Sequence, residues 1–254
     1  MKKVILGLAL LCSFVFAGTI NVAVAANVSY AINDLVAKFN ETNKDTQVQI
    51  TLGSSGKFTA QIENGAPFDI FMSADMKFPK TLDEKNLTAT KPVIYAQGSL
   101  AMLSAKELDF SKGISLVADS KIEKIAVANP KTAPYGTAAV EAMKNANVLD
   151  KVESKFVYAE SISQAVTYAT TAADVGFVAK STLYDEKMAQ YKENIHWVSV
   201  DKSLYTPIDQ GIVILSKAKD NAEAKAFYDF ILSKEAKEIF ERFGYIVQWV
   251  VLQE

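Results

Sequence analysis

The feature that most constrains this chain is the regular switching of its apolar residues between two periods. Residues 19–25 alternate as a strand and run straight into Ile32, Leu35, Val36 and Phe39, which are spaced as one helix face. Residues 47–52 predict the next strand, Gly53-Ser54-Ser55-Gly56 breaks it, and residues 57–64 predict a helix ending near Gly65. Residues 69–74 then form a third, mostly apolar strand. The same rhythm returns later, with a strand at 124–128, a helix from about Thr137, a strand at 155–158, and a helix carrying Ile162, Ala165, Val166 and Ala169. Further strands are expected at 175–179, 197–200 and 211–215. Residues 221–243 read as one long helix, with Phe227, Phe230, Ile231, Ile239 and Phe240 on related faces and Gly244 as its stop. Short buried strands alternating with helices imply an α/β fold with largely parallel sheets.

The first seventeen residues do not belong to that pattern. Met1-Lys2-Lys3 is a basic start, residues 4–17 are almost continuously apolar, and Val15-Phe16-Ala17 is a small-residue exit of the kind a signal peptidase cuts. The apolar run is shorter than the roughly 20 residues of a membrane-spanning helix, so residues 1–17 are expected to be an export signal. Cleavage is placed after Ala17, with Gly18 or Ala25 as weaker sites. Leu10-Leu11 before Cys12 fit lipoprotein processing badly. The expected product is exported and soluble, with 25 basic against 29 acidic residues and no cysteine, which suits an oxidising compartment.

Two stretches, residues 97–100 and 206–211, read as crossings between domains. Two crossings make the first domain discontinuous: 18–98 with 210–254 form domain 1, 99–209 form domain 2, and the pair of crossings forms a hinge. The end of the chain, Gln248-Trp249-Val250-Val251-Leu252, is apolar and is expected to pack on the body of the first domain.

Composition removes most chemistry. With 27 basic and 29 acidic residues the 254-residue chain has no basic excess for nucleic acid, and one Cys and one His leave little for disulfides, metal ligation or acid–base catalysis. His196 lies in a strand-like context. Ser55 and Lys57 are two apart and would not face each other on a helix. Gly56-Lys57 resembles the end of a phosphate loop, but Thr51 and Phe58 stand where that motif needs Gly and Ser or Thr. Asp69 and Asp75 lack calcium-loop spacing. What remains is a set of small, polar strand-to-helix turns: Ala26-Asn27-Val28-Ser29, Gly53 to Gly56, Asn129 to Gly136, and Ser161-Ile162. Such turns lie beyond the carboxyl ends of strands, where open α/β sheets bind ligands, and helix starts there favour anions. Each serine or asparagine taken singly reads more readily as an ordinary helix cap, and it is their number that favours a site.

The chain resembles the periplasmic molybdate-binding proteins of ABC importers. The resemblance spans almost all of the chain after residue 17 and rests on four blocks: Gln61 to Pro67 followed by Asp69 to Asp75; Gly53 to Gly56; Asn129-Pro130 with Ala133-Pro134-Tyr135-Gly136; and Phe227 to Phe230 with Glu238 to Phe240 and Phe243-Gly244-Tyr245. It implies the type II periplasmic binding protein fold, two α/β domains joined by a two-strand hinge, closing on one tetrahedral oxyanion. Carried over residue by residue, it implies contacts from Asn27 and Ser55 in one domain and Tyr135 and Ile162 in the other, with Ser54 and Ser161 as additional contacts. Asn27 would offer its side-chain amide and backbone N–H, Ser55 its hydroxyl and N–H, Ile162 its N–H alone. Many members have Ser at the position of Asn27, Tyr at that of Ala179, and Ala at that of Tyr135, so the phenol of Tyr135 is expected to replace the hydroxyl missing at Ala179. The implied ligand is molybdate or tungstate, with no further cofactor and no direct protein–metal bond. The implied partner is an inner-membrane permease of an ABC transporter, served by a periplasmic monomer without enzymatic activity. The rival readings are a receptor for sulfate or another oxyanion, an oxyanion-sensing domain, and an exported hydrolase using Ser54 or Ser55.

Overall fold

The computed structural model describes residues 18–248; the expected export signal and the apolar stretch from Trp249 onward lie outside the described residues. In chain order the strands are β1 (Gly18–Ala25), β2 (Thr46–Gly53), β3 (Ile70–Met72), β4 (Val93–Gly98), β5 (Leu100–Leu103), β6 (Ile125–Ala128), β7 (Phe156–Ala159), β8 (Val175–Ala179), β9 (Trp197–Ser199) and β10 (Ile208–Ile214). The helices are α1 (Ile32–Asn40), α2 (Ser55–Glu63), α3 (Lys77–Glu84), α4 (Pro134–Asn145), α5 (Leu149–Val152), α6 (Ile162–Thr171), α7 (Ala222–Ile231) and α8 (Lys234–Arg242).

These strands make two five-stranded sheets, ordered β2-β1-β3-β10-β4 and β7-β6-β8-β5-β9. The chain leaves the first sheet between Gly98 and Leu100 and returns to it between Ser199 and Ile208. That path explains why the sheets are mixed rather than largely parallel. β1 pairs in parallel with β2 and β3, and β6 with β7 and β8, as strand–helix–strand units require. The strands flanking the crossings run the other way: β10 is antiparallel to β3 and β4, and β5 is antiparallel to β8 and β9.

Burial follows from the apolar pattern. The central strands are covered on both faces, so Ile20, Val22 and Val24 of β1 and all four residues of β6 are buried. On α1 the buried residues are Ile32, Leu35 and Phe39, one helix face, and the Phe39 ring meets Phe227 edge-on at 5.1 Å. The expected long C-terminal helix is two helices. Ser233 caps α8 by accepting from the Ala236 N–H at 3.3 Å, so the periodicity of Phe227, Ile231, Ile239 and Phe240 continues through a break. Both helices bury that face against the first sheet, whose core also takes Tyr95, Tyr245 and Ile212. The helix expected from Thr137 begins earlier, because Pro134 at its first position has the fixed φ a helix start needs. Strand β4 and helix α3 carry no alternation strong enough to announce them in the sequence.

Candidate functional site

The parallel strands of both sheets end facing one another across the gap between the sheets. β1 runs into a short 3₁₀ turn, Ala26–Tyr30, that buries Asn27. β2 ends at Gly53, and Ser54 precedes α2, whose first residue is the fully buried Ser55. From the second sheet, β6 leads through residues 129–133 into α4 with Tyr135 in its first turn, β7 leads to Ser161 and Ile162 at the start of α6, and β8 leads into Lys180–Tyr184.

Contacts between these turns join the two halves. The Gly56 N–H donates to the Thr132 carbonyl at 2.8 Å, and the Ser163 hydroxyl donates to the Ala26 carbonyl at 2.9 Å. The Ser181 hydroxyl donates to the Asn27 carbonyl at 3.1 Å. Lys57 and Glu160 form an ion pair of 2.8 Å at the rim, exposed enough to add little. The six residues expected at the site therefore converge on one interface, Asn27, Ser54 and Ser55 from one side and Tyr135, Ser161 and Ile162 from the other.

Their hydrogen bonds differ in kind. The Ser161 hydroxyl is an ordinary cap, accepting from Gln164 N–H at 3.3 Å. Ser54 holds the cap position of α2, yet its buried hydroxyl caps nothing and has no hydrogen-bond partner. Thr132 Oγ1 and Asn27 Oδ1 are likewise buried and unpartnered. Ser55 Oγ accepts from the Ala74 N–H at 2.9 Å, which aims the hydroxyl and leaves its own proton to give. Tyr135 and Ile162 open helices, and the first N–H groups of a helix have no carbonyl within it to meet. Unsatisfied buried groups cost about 1–3 kcal/mol each, so a cluster of them marks a place built for something polar.

Behind Asn27 lies a wholly buried network that the sequence did not announce. Asn27 Nδ2 donates to Gln210 Oε1 at 2.9 Å and to the Tyr245 hydroxyl at 3.0 Å; Gln210 Nε2 donates to the Tyr135 hydroxyl at 3.2 Å; Tyr95 donates to Gln210 Oε1 at 2.7 Å. The phenol of Tyr135 thus turns toward Gln210. Burial raises the phenol pKa of Tyr95 and Tyr135 well above its usual value and pushes Tyr245 up to about 12, so all three stay protonated. Gln210 lies in a stretch legible as a crossing and Tyr245 in a recognisable block, but neither carries a local sign of this contact. Tyr95 and Ser181 carry no signal at all.

The arrangement suits an anion held by neutral dipoles. No Lys or Arg stands at the six positions, and several hydroxyls and helix starts point inward. A groove of about 340 Å³ flanks this interface, but Asp75, Glu141 and Asp209 line it against only Lys77 and Lys131, the wrong balance for an anion. His196 lies before β9, where its Nδ1 accepts from the Lys192 N–H at 3.1 Å. Among the described residues no cluster of three His, Cys, Asp or Glu could hold a metal ion.

Comparison with known proteins agrees in family and fold. Residues 20–246 match the family described as bacterial extracellular solute-binding protein. The molybdate-binding protein ModA of Azotobacter vinelandii is 37% identical over 96% of this chain and 96% of its own length. That of Rhodobacter capsulatus is 38% identical over 96% and 93%. The solved periplasmic molybdate-binding protein of Azotobacter vinelandii superposes with a TM-score of 0.83 at 31% identity, covering 91% of this chain and all of that one. The fold is that of the two-domain type II binding proteins.

Proposed function

We propose, on the premise that this chain belongs to the bacterial extracellular solute-binding proteins, that it captures molybdate between its two halves and delivers it to an ABC importer. The observation that carries the reading is the set of buried, unpartnered hydroxyls and helix starts meeting where no Lys or Arg stands at the six site positions. Ser55 donates its hydroxyl, Asn27 and Ser54 stand beside it, and Tyr135 and Ile162 supply backbone N–H groups from the facing side, with Ser161 at the edge. Tungstate, of nearly the same size and charge, binds alongside molybdate. The two halves act as domains bounded at 18–98 with the chain from 210 onward, and 99–209, hinged at residues 98–100 and 206–210. The protein works as a periplasmic monomer, exported by residues 1–17, and docks on a permease of the inner membrane. Binding and release make no covalent change, so no catalytic group is needed.

Radius and protonation decide selectivity. A closed site with fixed donors holds the larger tetrahedral dianions at full hydrogen-bond length, whereas sulfate leaves donors stretched, at about 1–3 kcal/mol for each unsatisfied one. Phosphate brings a proton that needs an acceptor, and the turns offer few. Calorimetric titration with molybdate, tungstate, sulfate and phosphate should show tight binding of the first two alone. Preference for sulfate would replace the ligand assignment, and silence toward all four would defeat the oxyanion reading. Within the site, Ser55→Ala should weaken molybdate binding by about 1–3 kcal/mol, since one of few donors is lost. Parent-like affinity for that variant would remove Ser55 from the contact set.

A further inference from the structure

The buried network behind Asn27 leaves one of its side-chain atoms without any partner. Both Asn27 Nδ2 protons are used, on Gln210 Oε1 and on the Tyr245 hydroxyl, while Asn27 Oδ1, on the other arm of the amide, has no partner. In this state the arm turned away from Gln210 is an acceptor, which an oxyanion repels. Turning both side-chain amides half a revolution, so that oxygen and nitrogen trade places on Asn27 and Gln210 together, corrects this and leaves every other heavy atom where it is. Gln210 Nε2 then donates to Asn27 Oδ1 across the present 2.9 Å contact and to the Tyr95 hydroxyl across the present 2.7 Å contact. Tyr95 passes its proton to the Ser73 carbonyl, 3.3 Å away, and Tyr135 donates to Gln210 Oε1 across 3.2 Å. The Tyr245 hydroxyl turns its proton from the Asn27 carbonyl, 2.8 Å away, to Asn27 Oδ1 at 3.0 Å, and the Asn27 carbonyl keeps the Ser181 hydroxyl. Each of these contacts again pairs a donor with an acceptor, and the free arm of Asn27 becomes an NH₂ for the anion to meet.

We propose that Gln210 is a positioning residue for the ligand: its amide, paired with that of Asn27 and exchanging orientation with it, sets whether Asn27 offers a carbonyl or an NH₂ to the bound oxyanion. The loaded protein holds the exchanged arrangement. This rests on the oxyanion reading above. Gln210 is placed for the task, fully buried on β10 where the register with β4 breaks between Gln210 and Gly211, a bulge that re-aims a side chain. It also touches both halves, Asn27 and Tyr95 on one side and Tyr135 on the other. The space is made by Gly98: a Cβ there would lie 2.0 Å from the Tyr135 hydroxyl and 2.7 Å from Gln210 Nε2.

Neutron diffraction from deuterated full-length protein crystallised with sodium molybdate reads the arrangement directly. The expected result is deuterium on the arm of Asn27 facing the anion and on the arm of Gln210 facing Asn27. Finding Asn27 ND₂ still bound to Gln210 and Tyr245 in the loaded crystal overturns the inference. Titration supplies the second arm. Gln210→Met, which neither donates nor accepts, should bind molybdate about tenfold more weakly than the parent, and Gln210→Glu, an acceptor only, more weakly again at neutral pH. Both variants binding within twofold of the parent would also overturn it, and if neither folds the neutron result stands alone. A parent that binds no molybdate fails the oxyanion reading itself, whereas a parent that binds while Asn27 keeps its present orientation fails only the role of Gln210.

Discussion

Replacing Gly136 by alanine is expected to destabilise this protein by about 3 kcal/mol, at the upper end of what overpacking costs. Gly136 lies in the first turn of α4, where the helix start docks against the end of β6. A Cβ built on it would sit 1.9 Å from the Ala128 carbonyl oxygen, 2.7 Å from the carbonyl carbon and 3.1 Å from Pro130 N. All three are backbone atoms, and Ala128 is held in register between β6 and β7, opposite Ala159. Neither can swing aside as a side chain would. The helix start must lift, and Tyr135 lifts with it, away from Gln210. For a domain pair of this size a loss of about 3 kcal/mol lowers the melting temperature by roughly 6–12 °C. Thermal unfolding followed by circular dichroism measures it. A variant melting with the parent would show that α4 does not rest on the strand as closely as described. The same substitution should weaken molybdate binding, because the Tyr135 N–H moves with the turn.

That close approach illustrates what the sequence exposes and what it conceals. The rhythm of strands and helices was legible because burial on both faces leaves continuous apolar runs, as in β6 and β8, and because Gly53 and Gly65 punctuate them. The four polar turns were legible for the same reason, lying where one period stops and the other starts. Strand directions were hidden. Whether β10 runs parallel or antiparallel to β3 depends on where the chain re-enters the sheet, and nothing in the residues of β10 itself encodes that. The state of each serine was hidden too. Ser54 and Ser161 both precede a helix, and only the structure shows Ser161 capping at 3.3 Å while Ser54 caps nothing. Gln210 was the least visible, because a glutamine inside a strand usually faces water. Its burial follows from Tyr95, Tyr135 and Tyr245, residues 115, 75 and 35 positions away, arriving at one point.

Ligand should both close and stabilise the molecule. In the form described here the halves are joined directly by a few bonds, Gly56 to Thr132, Ser163 to Ala26 and the exposed Lys57–Glu160 pair among them. Each neutral bond contributes about 0.5–1.5 kcal/mol net, and the exposed ion pair about 0–1 kcal/mol. Against them stand the unpartnered Ser54 and Thr132 hydroxyls and Asn27 Oδ1, each costing about 1–3 kcal/mol while it stays buried without a partner. The two sums are comparable, so without an anion the closed state has no large advantage and opening rehydrates the orphaned groups. An oxyanion reverses the balance, since it accepts from both halves at once and each half alone offers only part of its hydrogen bonds. Small-angle scattering should therefore give a smaller radius of gyration with saturating molybdate than without it. The same linkage predicts about 4 kcal/mol of added stability at a thousandfold excess of ligand over its dissociation constant, read as a concentration-dependent rise in melting temperature. A radius of gyration unchanged by tight, saturating binding would mean that the halves stay together without ligand, with the orphaned groups solvated by ordered water and the site formed in advance.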